Sequence, residues 1–494
     1  MPGQVVKDIH NIDVRQCLWL ARRRGRAMAV TAQVHHDQVR QRMDGFGFCQ
    51  AFQRANLLRG SEGLSPEQCR EILDLFFRAD VGAGLSILRL GIGSTTAGQE
   101  GPMRSIAPTD PGGPDKPLKY EWDGDDHGQV WLAQQAVRYG VRRFFANAWS
   151  APGYMLHNGS DVGDGVVRGM PGTSPEDGDW RATYAEYLLQ YVRFYRECGV
   201  EITDLGFANE PDLLLNMPDH VVHYALMRLE PHHVVDFVKV LGPAIERSGL
   251  PLSLVSCDAM TWQQQAAYTA AVEADPEAAR WVDIHAGHNY RTRARWPLPT
   301  KRQTWMSEWD PDVNLRVGVW NDRWDSDRRC DGIRLAEDIN DALTMAEVGG
   351  YLYWFGISTG PTRALIQADG TDYHVSKRFW AVAAYSRFIR PGAHRIDAEV
   401  SGADTVKVSA FQNPDGGTIV NLLNLDTTPI DVGLDLGATD PATLRTWLTD
   451  ESHDLAATGT RPASTALPLP PRSLTTVLLE AEPAGRDRRP GPTR

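Results

Sequence analysis

The sequence predicts an α/β protein: a (β/α)8 TIM barrel with an appended antiparallel β-sandwich that also takes an N-terminal strand. From about residue 43 to residue 388, short apolar runs alternate with stretches of helical periodicity, the pattern of repeated βα units. After Pro391 the pattern changes to short alternating runs separated by turn-forming strings such as Asn413-Pro414-Asp415-Gly416-Gly417, which is typical of a β-sandwich. The length of 494 residues is sufficient for both domains.

The predicted barrel strands are eight apolar runs. In chain order they are Met43–Cys49, Ser86–Leu90, Arg142–Ala146, Asp204–Ala208, Leu252–Ser256, Val282–Ala286, Gln303–Ser307 and Gly350–Phe355. One helix between them starts at Ser65-Pro66-Glu67-Gln68, a capping box with proline at the first helical position. Other helical patterns cover roughly residues 180–198, 232–248, 263–274, 334–347 and 375–388. A doubly wound sheet is the alternative, but no glycine-rich phosphate loop follows an early strand.

The predicted domain boundaries follow from these patterns. Residues 1–28 form an N-terminal extension of unclear status, and 29–42 contain a strand (Ala29–Val39) that joins the β-sandwich. The catalytic barrel covers 43–390, the β-sandwich 391–481 and a disordered tail 482–494. The sandwich strands are Thr405–Phe411, Gly417–Leu423, Ile430–Leu436, Leu444–Leu448 and Ser473–Glu480.

Charge and apolar patterning limit the partners. The net charge of −12 argues against a nucleic-acid partner, because phosphate binding needs clustered Lys and Arg. No apolar run approaches the ~20 residues that cross a bilayer. No clear signal peptide is present either, since the apolar piece Cys17–Ala21 is short and the basic run Arg22–Arg26 follows it. None of the six cysteines forms a C-x-x-C pair, so we expect mostly free, buried thiols, with one incidental disulfide as the alternative. We also expect a monomer.

Two glutamates follow predicted barrel strands at the end where barrel active sites lie. Glu210 follows the fourth run within Asn209-Glu210-Pro211, and Glu308 follows the seventh within Ser307-Glu308-Trp309. Asn-Glu-Pro alone is equally typical of a loop start. Strands four and seven face each other across a barrel mouth, so the pair can reach the ~5–5.5 Å separation of a retaining glycosidase. We therefore predict Glu210 and Glu308 as the catalytic residues.

Several residues could support this pair. Arg89 ends the second run, where its charge could keep Glu308 ionised, although a structural salt bridge is the alternative. His288 and Tyr290 follow the sixth run, and a tyrosine hydroxyl there can hydrogen-bond to Glu308. Trp149 and Trp354 could stack on sugar rings, although a core position is the alternative for Trp354. Four aspartates near strand ends are expected to be structural: Asp44, Asp204, Asp258 and Asp283.

Two rival chemistries are disfavoured. A metal site would need ligands on one face, but His285 and His288 lie on a strand end and a loop, His232 and His233 are adjacent, and no H-E-x-x-H motif is present. A serine nucleophile is suggested by Gly356-Ile357-Ser358-Thr359-Gly360, but Pro361 and a polar stretch follow it instead of the required helix. We therefore expect neither metal nor cofactor.

A set of motifs resembles glycoside hydrolase family 30, in the clan of barrels with glutamates on strands four and seven. The matching segments are Asp44–Phe48, Leu88–Ser94, Ala148–Met155, Asn209–Pro211, Ser307–Trp309, Lys377–Trp380 and Ser386–Gly392. The resemblance covers about residues 29–480. The stretch Gly47–Ala55, with Gly84–Arg89, looks most like the subfamily 7 xylanases and glucuronoxylanases. Cys49 departs from this pattern, since serine is common there, and residues 1–28 match nothing in the family.

The resemblance implies roles for individual residues. Glu210 would be the general acid/base and Glu308 the nucleophile, with Tyr290 and Arg89 orienting it. Asn209 would bind the sugar 2-hydroxyl, and Trp149 and Trp354 would line the subsite before the cleaved bond. His288 is a further substrate-binding candidate, with a satisfied loop histidine as the alternative. Arg54 is the candidate for an acidic branch, with a packing arginine as the alternative.

The leading hypothesis is a retaining, endo-acting glycoside hydrolase that cleaves β-1,4-xylan or glucuronoxylan and is extracellular because its substrate is. One alternative is another β-glycosidase of the family, such as a β-1,6-glucanase, β-1,6-galactanase or glucosylceramidase. The other is a non-catalytic carbohydrate-binding protein on the same scaffold.

Overall fold

The computed structural model describes residues 30–311, 322–325, 332–360, 362–437 and 443–479. Several expectations concern residues outside this part of the chain. They are the extension 1–28, the basic run Arg22–Arg26, Pro361 and the tail 482–494. Cys17 and Cys330 also lie outside it, whereas Cys49, Cys69, Cys198 and Cys257 are free thiols.

The predicted TIM barrel is confirmed. After β1 (Val30–Arg42), which belongs to the second domain, eight parallel strands form a closed barrel. They are β2 (Gly45–Cys49), β3 (Ile87–Ile92), β4 (Arg143–Ala148), β5 (Asp204–Gly206), β6 (Ser253–Ala259), β7 (Ile284–His288), β8 (Gln303–Glu308) and β9 (Gly350–Phe355). Because β2 pairs with both β3 and β9, the sheet closes and its carboxyl ends meet at one mouth.

The helices lie mainly between the barrel strands. Within the described residues they are α1 (Pro66–Phe77), α2 (Gln129–Arg138), α3 (Arg181–Glu197), α4 (Leu213–Asn216), α5 (Pro231–Ser248), α6 (Trp262–Ala274), α7 (Pro276–Ala279), α8 (Gly332–Thr344) and α9 (Lys377–Ser386). Short 3-10 turns cover Arg54–Arg59, Asp126–Gly128, Gly153–Met155 and Pro175–Asp177. The capping box of α1 is present: the Gln68 amide donates to Ser65 Oγ at 3.2 Å, and the Ser65 amide donates to Gln68 Oε1 at 2.9 Å.

The amino-terminal end of the barrel is closed by packing and ion pairs. A buried apolar cluster fills the interior: Ile87, Phe145, Val255, Ile284, Ala286, Trp305 and Leu352. Below it Arg143 pairs with Asp44 and Asp204, each at 2.8 Å. Trp305 also donates from Nε1 to Asp44 Oδ2 at 2.9 Å. Asp44 and Asp204 therefore lie at the end of the barrel opposite its catalytic mouth.

The second domain is a nine-stranded sheet in the order β18-β17-β20-β15-β14-β13-β1-β16-β19. Its C-terminal strands are β13 (His394–Ser401), β14 (Val406–Gln412), β15 (Thr418–Asn424), β16 (Ile430–Asp435), β17 (Thr443–Thr449), β18 (Ala456–Pro462), β19 (Leu467–Leu469) and β20 (Ser473–Leu479). Three shorter strands, β10 (Ile357–Thr359), β11 (Ile366–Asp369) and β12 (Asp372–Val375), form a separate sheet after the barrel.

The N-terminal strand is central to this sheet. β1 pairs antiparallel with β13 and parallel with β16. The sheet bends into two layers around a core that includes Val34, Val420 and Val477. Asn424 on β15 donates across the layers to the Leu469 carbonyl at 3.2 Å.

Within the described residues, no helix is both long and apolar enough to cross a membrane.

Candidate active site

A cleft of about 520 Å³ opens at the carboxyl ends of the barrel strands. Its walls come from loops after most of those strands. The lining residues are Phe52, Arg54, Pro102, Trp149, Asn209, Glu210, Leu213, Met217, His220, His223, Tyr224, Met260, Tyr290, Glu308, Asp310, Trp354, Phe355 and Arg363. Seven of the nine predicted site residues line this cleft. The other two, Arg89 and His288, lie directly beneath it and contact Glu308 and Glu210.

Glu210 and Glu308 face each other across this cleft. Glu308 is the last residue of β8, and Glu210 follows β5 in a left-handed conformation with φ of 48°. Because a side chain rarely adopts this conformation, it needs support, and the Glu210 amide donates to the Asp258 carbonyl at 2.7 Å. One oxygen from each carboxylate and a ring nitrogen of His288 all lie within 4.8 Å of one another.

Glu308 is held by two hydrogen-bond donors. Arg89 Nη1 donates to Oε2 in a short ion pair, and the Tyr290 hydroxyl donates to Oε1 at 3.1 Å. Burial raises the pKa of Glu308. The positive charges of His288 and Arg89 act in the opposite direction, while the Glu210 carboxylate adds to the increase. Its ionised form therefore depends on the two cations.

Arg89 connects Glu308 with its neighbours. The buried guanidinium donates from Nη2 to the Asn209 side-chain oxygen and, at 3.0 Å, to Asp258 Oδ2. It also lies over the Trp149 ring, 4.7 Å from the ring centre. Although burial opposes its charge, the carboxylates of Asp258 and Glu308 raise the pKa of Arg89 above its ordinary value. Arg89 thus fixes Glu308 and Asn209 relative to each other.

His288 lies between the two glutamates. Its Nδ1 is 3.2 Å from Glu210 Oε1 and 3.8 Å from Glu308 Oε1. Burial alone would lower the pKa of His288, but the carboxylates of Glu308, Asp258 and Glu210 outweigh it and raise the pKa to about 10. The surrounding carboxylates therefore favour the protonated form of the ring.

An aromatic wall covers one side of the cleft. The rings of Trp149 and Trp354 are 5.9 Å apart, and Phe52 packs edge-on against both. Phe52 also contacts Tyr224, whose hydroxyl donates to Glu210 Oε2 at 3.3 Å. Sequence reasoning did not identify Tyr224, because it lies in a loop with no recognisable pattern.

Arg54 lies at the cleft wall beside β9 and β10. Its Nε donates to Ser358 Oγ at 3.0 Å, and its guanidinium lies 4.0 Å from the centre of the Phe355 ring. Burial lowers the pKa of Arg54, and no carboxylate in the described part of the chain offsets this effect. Ser358 itself lies on β10, which leads into β11 and not into a helix, so it is not at a nucleophile elbow.

The histidines of the rival metal hypothesis have other partners. His285 Nε2 is 3.1 Å from Glu273 Oε1. His233 stacks on His232 and accepts from the Glu230 amide at the start of α5. Among the described residues, the one group with metal-ligand spacing is Glu210, His288 and Glu308.

Two further charged groups in or below the cleft had not been assigned to it. Asp310 follows Glu308 by two residues and pairs with Arg363 at 3.1 Å, both in the cleft wall. Asp258, expected to be structural, contacts Arg89 and lies 3.9 Å from His288. Its position two residues after the predicted fifth strand is the signal in the sequence.

Known proteins resemble this chain over both of its domains. The family model of the glycosyl hydrolase family 30 TIM-barrel domain matches residues 45–302, and that of the glycosyl hydrolase family 30 beta sandwich domain matches residues 392–477. Glucuronoxylanase XynC of Bacillus subtilis is 25% identical over 336 residues, 66% of this chain and 70% of that protein. Lysosomal acid glucosylceramidase of Mus musculus is 24% identical over 344 residues, 63% of this chain and 62% of that protein.

A solved structure shares the whole arrangement. The catalytic domain of GH30 xylanase C from Talaromyces cellulolyticus superposes with a TM-score of 0.82 at 29% identity, covering 91% of this chain and 100% of that one. Both domains are thus matched in sequence and in structure. The chain belongs to glycosyl hydrolase family 30 and is a glycoside hydrolase.

Proposed function

We propose that this protein is a retaining β-1,4-xylanase of the glucuronoxylanase type, with Glu308 as nucleophile and Glu210 as general acid/base. The observation that carries the proposal is the spacing of their carboxylate oxygens, within 4.8 Å in a cleft. Retaining glycosidases place their two carboxyl groups ~5–5.5 Å apart, whereas inverting enzymes need ~6.5–9.5 Å to admit a water molecule.

The residues around the pair fit a double displacement. Glu308 attacks the anomeric carbon while Glu210 gives its proton to the leaving oxygen, which forms a glycosyl-enzyme ester. Glu210 then takes a proton from water, which cleaves the ester and restores Glu308. Arg89 and Tyr290 hold the attacking carboxylate.

Substrate contacts are assigned to the cleft walls. Asn209, whose amide oxygen is fixed by Arg89, can donate from its amide nitrogen to a sugar 2-hydroxyl. Trp354, which is partly exposed, can present an aromatic face to the ring at the cleavage site, and the buried Trp149 packs behind it at the cleft wall. His288 contacts both catalytic carboxylates and has no direct face on the cleft, so we assign it to supporting them.

Xylan is favoured as the substrate because two of the similar proteins are named as a glucuronoxylanase and a xylanase. Arg54 supports an acidic branch, since its guanidinium lines the cleft with only a serine hydroxyl and an aromatic face as described contacts. A polysaccharide of this kind also implies an extracellular site of action. Glucosylceramide is the second candidate, because another relative is named as a glucosylceramidase.

Product analysis tests the reaction and the substrate together. We expect hydrolysis of glucuronoxylan to release the β-anomer first, as proton NMR of the reducing end would show, because two inversions restore configuration. Parallel assays on arabinoxylan, β-1,6-glucan and glucosylceramide give the comparison. An initial α-anomer would exclude double displacement, and activity confined to β-1,6-glucan or glucosylceramide would exclude the xylanase assignment.

Arg54→Ala should lower kcat/KM on glucuronoxylan by roughly 10- to 100-fold while changing the rate on debranched xylan little, because a hydrogen bond to a charged group contributes ~1.5–3 kcal/mol. Arg54→Lys is the matched control: it keeps the charge, loses the bidentate geometry and should show a smaller loss. Equal losses on branched and debranched xylan would show that Arg54 has a packing role.

A further inference from the structure

Asp258 is a buried carboxylate at the floor of the active site, near the end of β6. Its Oδ2 accepts from Arg89 Nη2 at 3.0 Å and from Asn147 Nδ2 at 2.7 Å, and its Oδ1 accepts from Ser307 Oγ at 2.6 Å. Its backbone carbonyl accepts from the Glu210 amide at 2.7 Å. One residue thus holds the backbone of Glu210 and the arginine that binds Glu308.

Asp258 also faces His288, whose Nε2 lies 3.9 Å from Oδ2. The charged and titratable groups around that ring come from several elements. They are Arg89 on β3, Glu210 and Asp212 after β5, Asp258 on β6, Tyr290 after β7 and Glu308 on β8. Asp258 is the carboxylate on the Nε2 side, whereas both catalytic glutamates face Nδ1.

The charges in this site balance only with Asp258 included. Under the proposed function Glu210 starts protonated, so Glu308 alone would face the two buried cations Arg89 and His288. Uncompensated buried charge is strongly destabilising, and a histidine can lose its proton to avoid it, whereas an arginine cannot. Without Asp258, His288 is therefore the group that would become neutral.

We propose that Asp258 is a positioning residue that keeps His288 protonated and holds Arg89 against Glu308. The nucleophile then faces two cations over the working pH range. The charge balance, through a protonated Glu210, and this last consequence rest on the proposed function, whereas the protonation of His288 is measured on the free protein. The pKa of Asp258 fits this role: burial would raise it, but Arg89 and His288 lower it below its ordinary value.

The test is a pH titration of the full chain labelled with ¹⁵N-histidine, with the His288 signal assigned from its loss in His288→Gln. In the wild type we expect the ring to remain protonated well above pH 6.5, the ordinary pKa of histidine. In Asp258→Asn the midpoint should fall by about one pH unit or more, as expected for loss of a carboxylate within ~4–6 Å. Activity at neutral pH should fall in parallel, with the loss in kcat and not in KM.

Asp126→Asn is the matched control. Asp126 is also buried and hydrogen-bonded, but its Oδ2 accepts from Tyr191, Tyr195 and Gln129 at 2.6, 2.7 and 2.9 Å, and none of these residues contacts His288 in the described structure. This variant should leave the His288 titration unchanged. A wild-type His288 that titrates near pH 6.5, or an unchanged midpoint in Asp258→Asn, would overturn the proposal. The wild-type titration tests the protonation of His288 even if Asp258→Asn does not fold. Its result does not depend on whether the protein hydrolyses xylan.

Discussion

Replacing Glu308 by glutamine is expected to lower kcat on xylan by roughly 10⁴-fold or more while KM changes little. The amide has the shape of the carboxylate but cannot form the glycosyl ester, so binding survives and the first chemical step does not. If the amide oxygen takes the place of Oε2, Arg89 still donates to it, and the Tyr290 hydroxyl can accept from the amide nitrogen instead of donating, so we expect the fold to be kept. Initial rates and circular dichroism of the purified variant check both parts.

Glu210→Gln provides the comparison for this variant. It should also lose activity on xylan, but much less on aryl glycosides whose leaving groups need no proton, because Glu210 contributes as an acid at that step. Glu308→Gln should fail on both kinds of substrate. If Glu308→Gln hydrolysed xylan at the wild-type rate, the catalytic assignment would be wrong. If both the wild type and the variant bound xylan but neither hydrolysed it, a non-catalytic carbohydrate-binding role would be favoured.

Arg89→Met is expected to lower the free energy of unfolding by about 3–5 kcal/mol and to abolish measurable activity. The substitution keeps an apolar side chain of similar length over Trp149 but leaves Asp258 and Glu308 buried without their shared cation. Breaking one side of a buried ion pair costs far more than the pair contributes net. Urea unfolding followed by tryptophan fluorescence measures the loss.

Arg59→Met is the surface counterpart of this change. Arg59 pairs with Asp125 at 2.7 Å, but both side chains are about two-fifths exposed, so its loss should cost at most about 1 kcal/mol. The difference between the two variants isolates the effect of burial. Equal unfolding midpoints for Arg89→Met and Arg59→Met would show that the cation beneath the cleft does not hold the site together.

The barrel was predictable because its strands are mostly buried and rich in apolar residues. Each of the eight runs overlaps an observed strand, and the first two positions after a run contain Glu210 and Glu308. By contrast, β18 has no buried residue and therefore lacks the alternation that signals a strand. β13 mixes buried and exposed residues without a regular period, so it too was missed.

The supporting residues were less accessible to sequence reasoning. Tyr224 reaches Glu210 from a loop, and Asp258 contacts Arg89 from a strand three places along the barrel. Such contacts depend on closure of the whole barrel, which no local pattern encodes. Asp44, Asp204 and Asp258 looked alike in the sequence, yet the first two pair with Arg143 at the opposite end of the barrel.

The central place of β1 in the second sheet affects biosynthesis. Thr31 pairs with Ser401, so the strand that leaves the ribosome before the barrel must wait for partners made after it. At ~5–20 residues per second this delay is on the order of tens of seconds, during which β1 presents unpaired backbone groups to other nascent chains. A recombinant fragment that starts at β2 would likewise leave β13 and β16 without the strand that joins them.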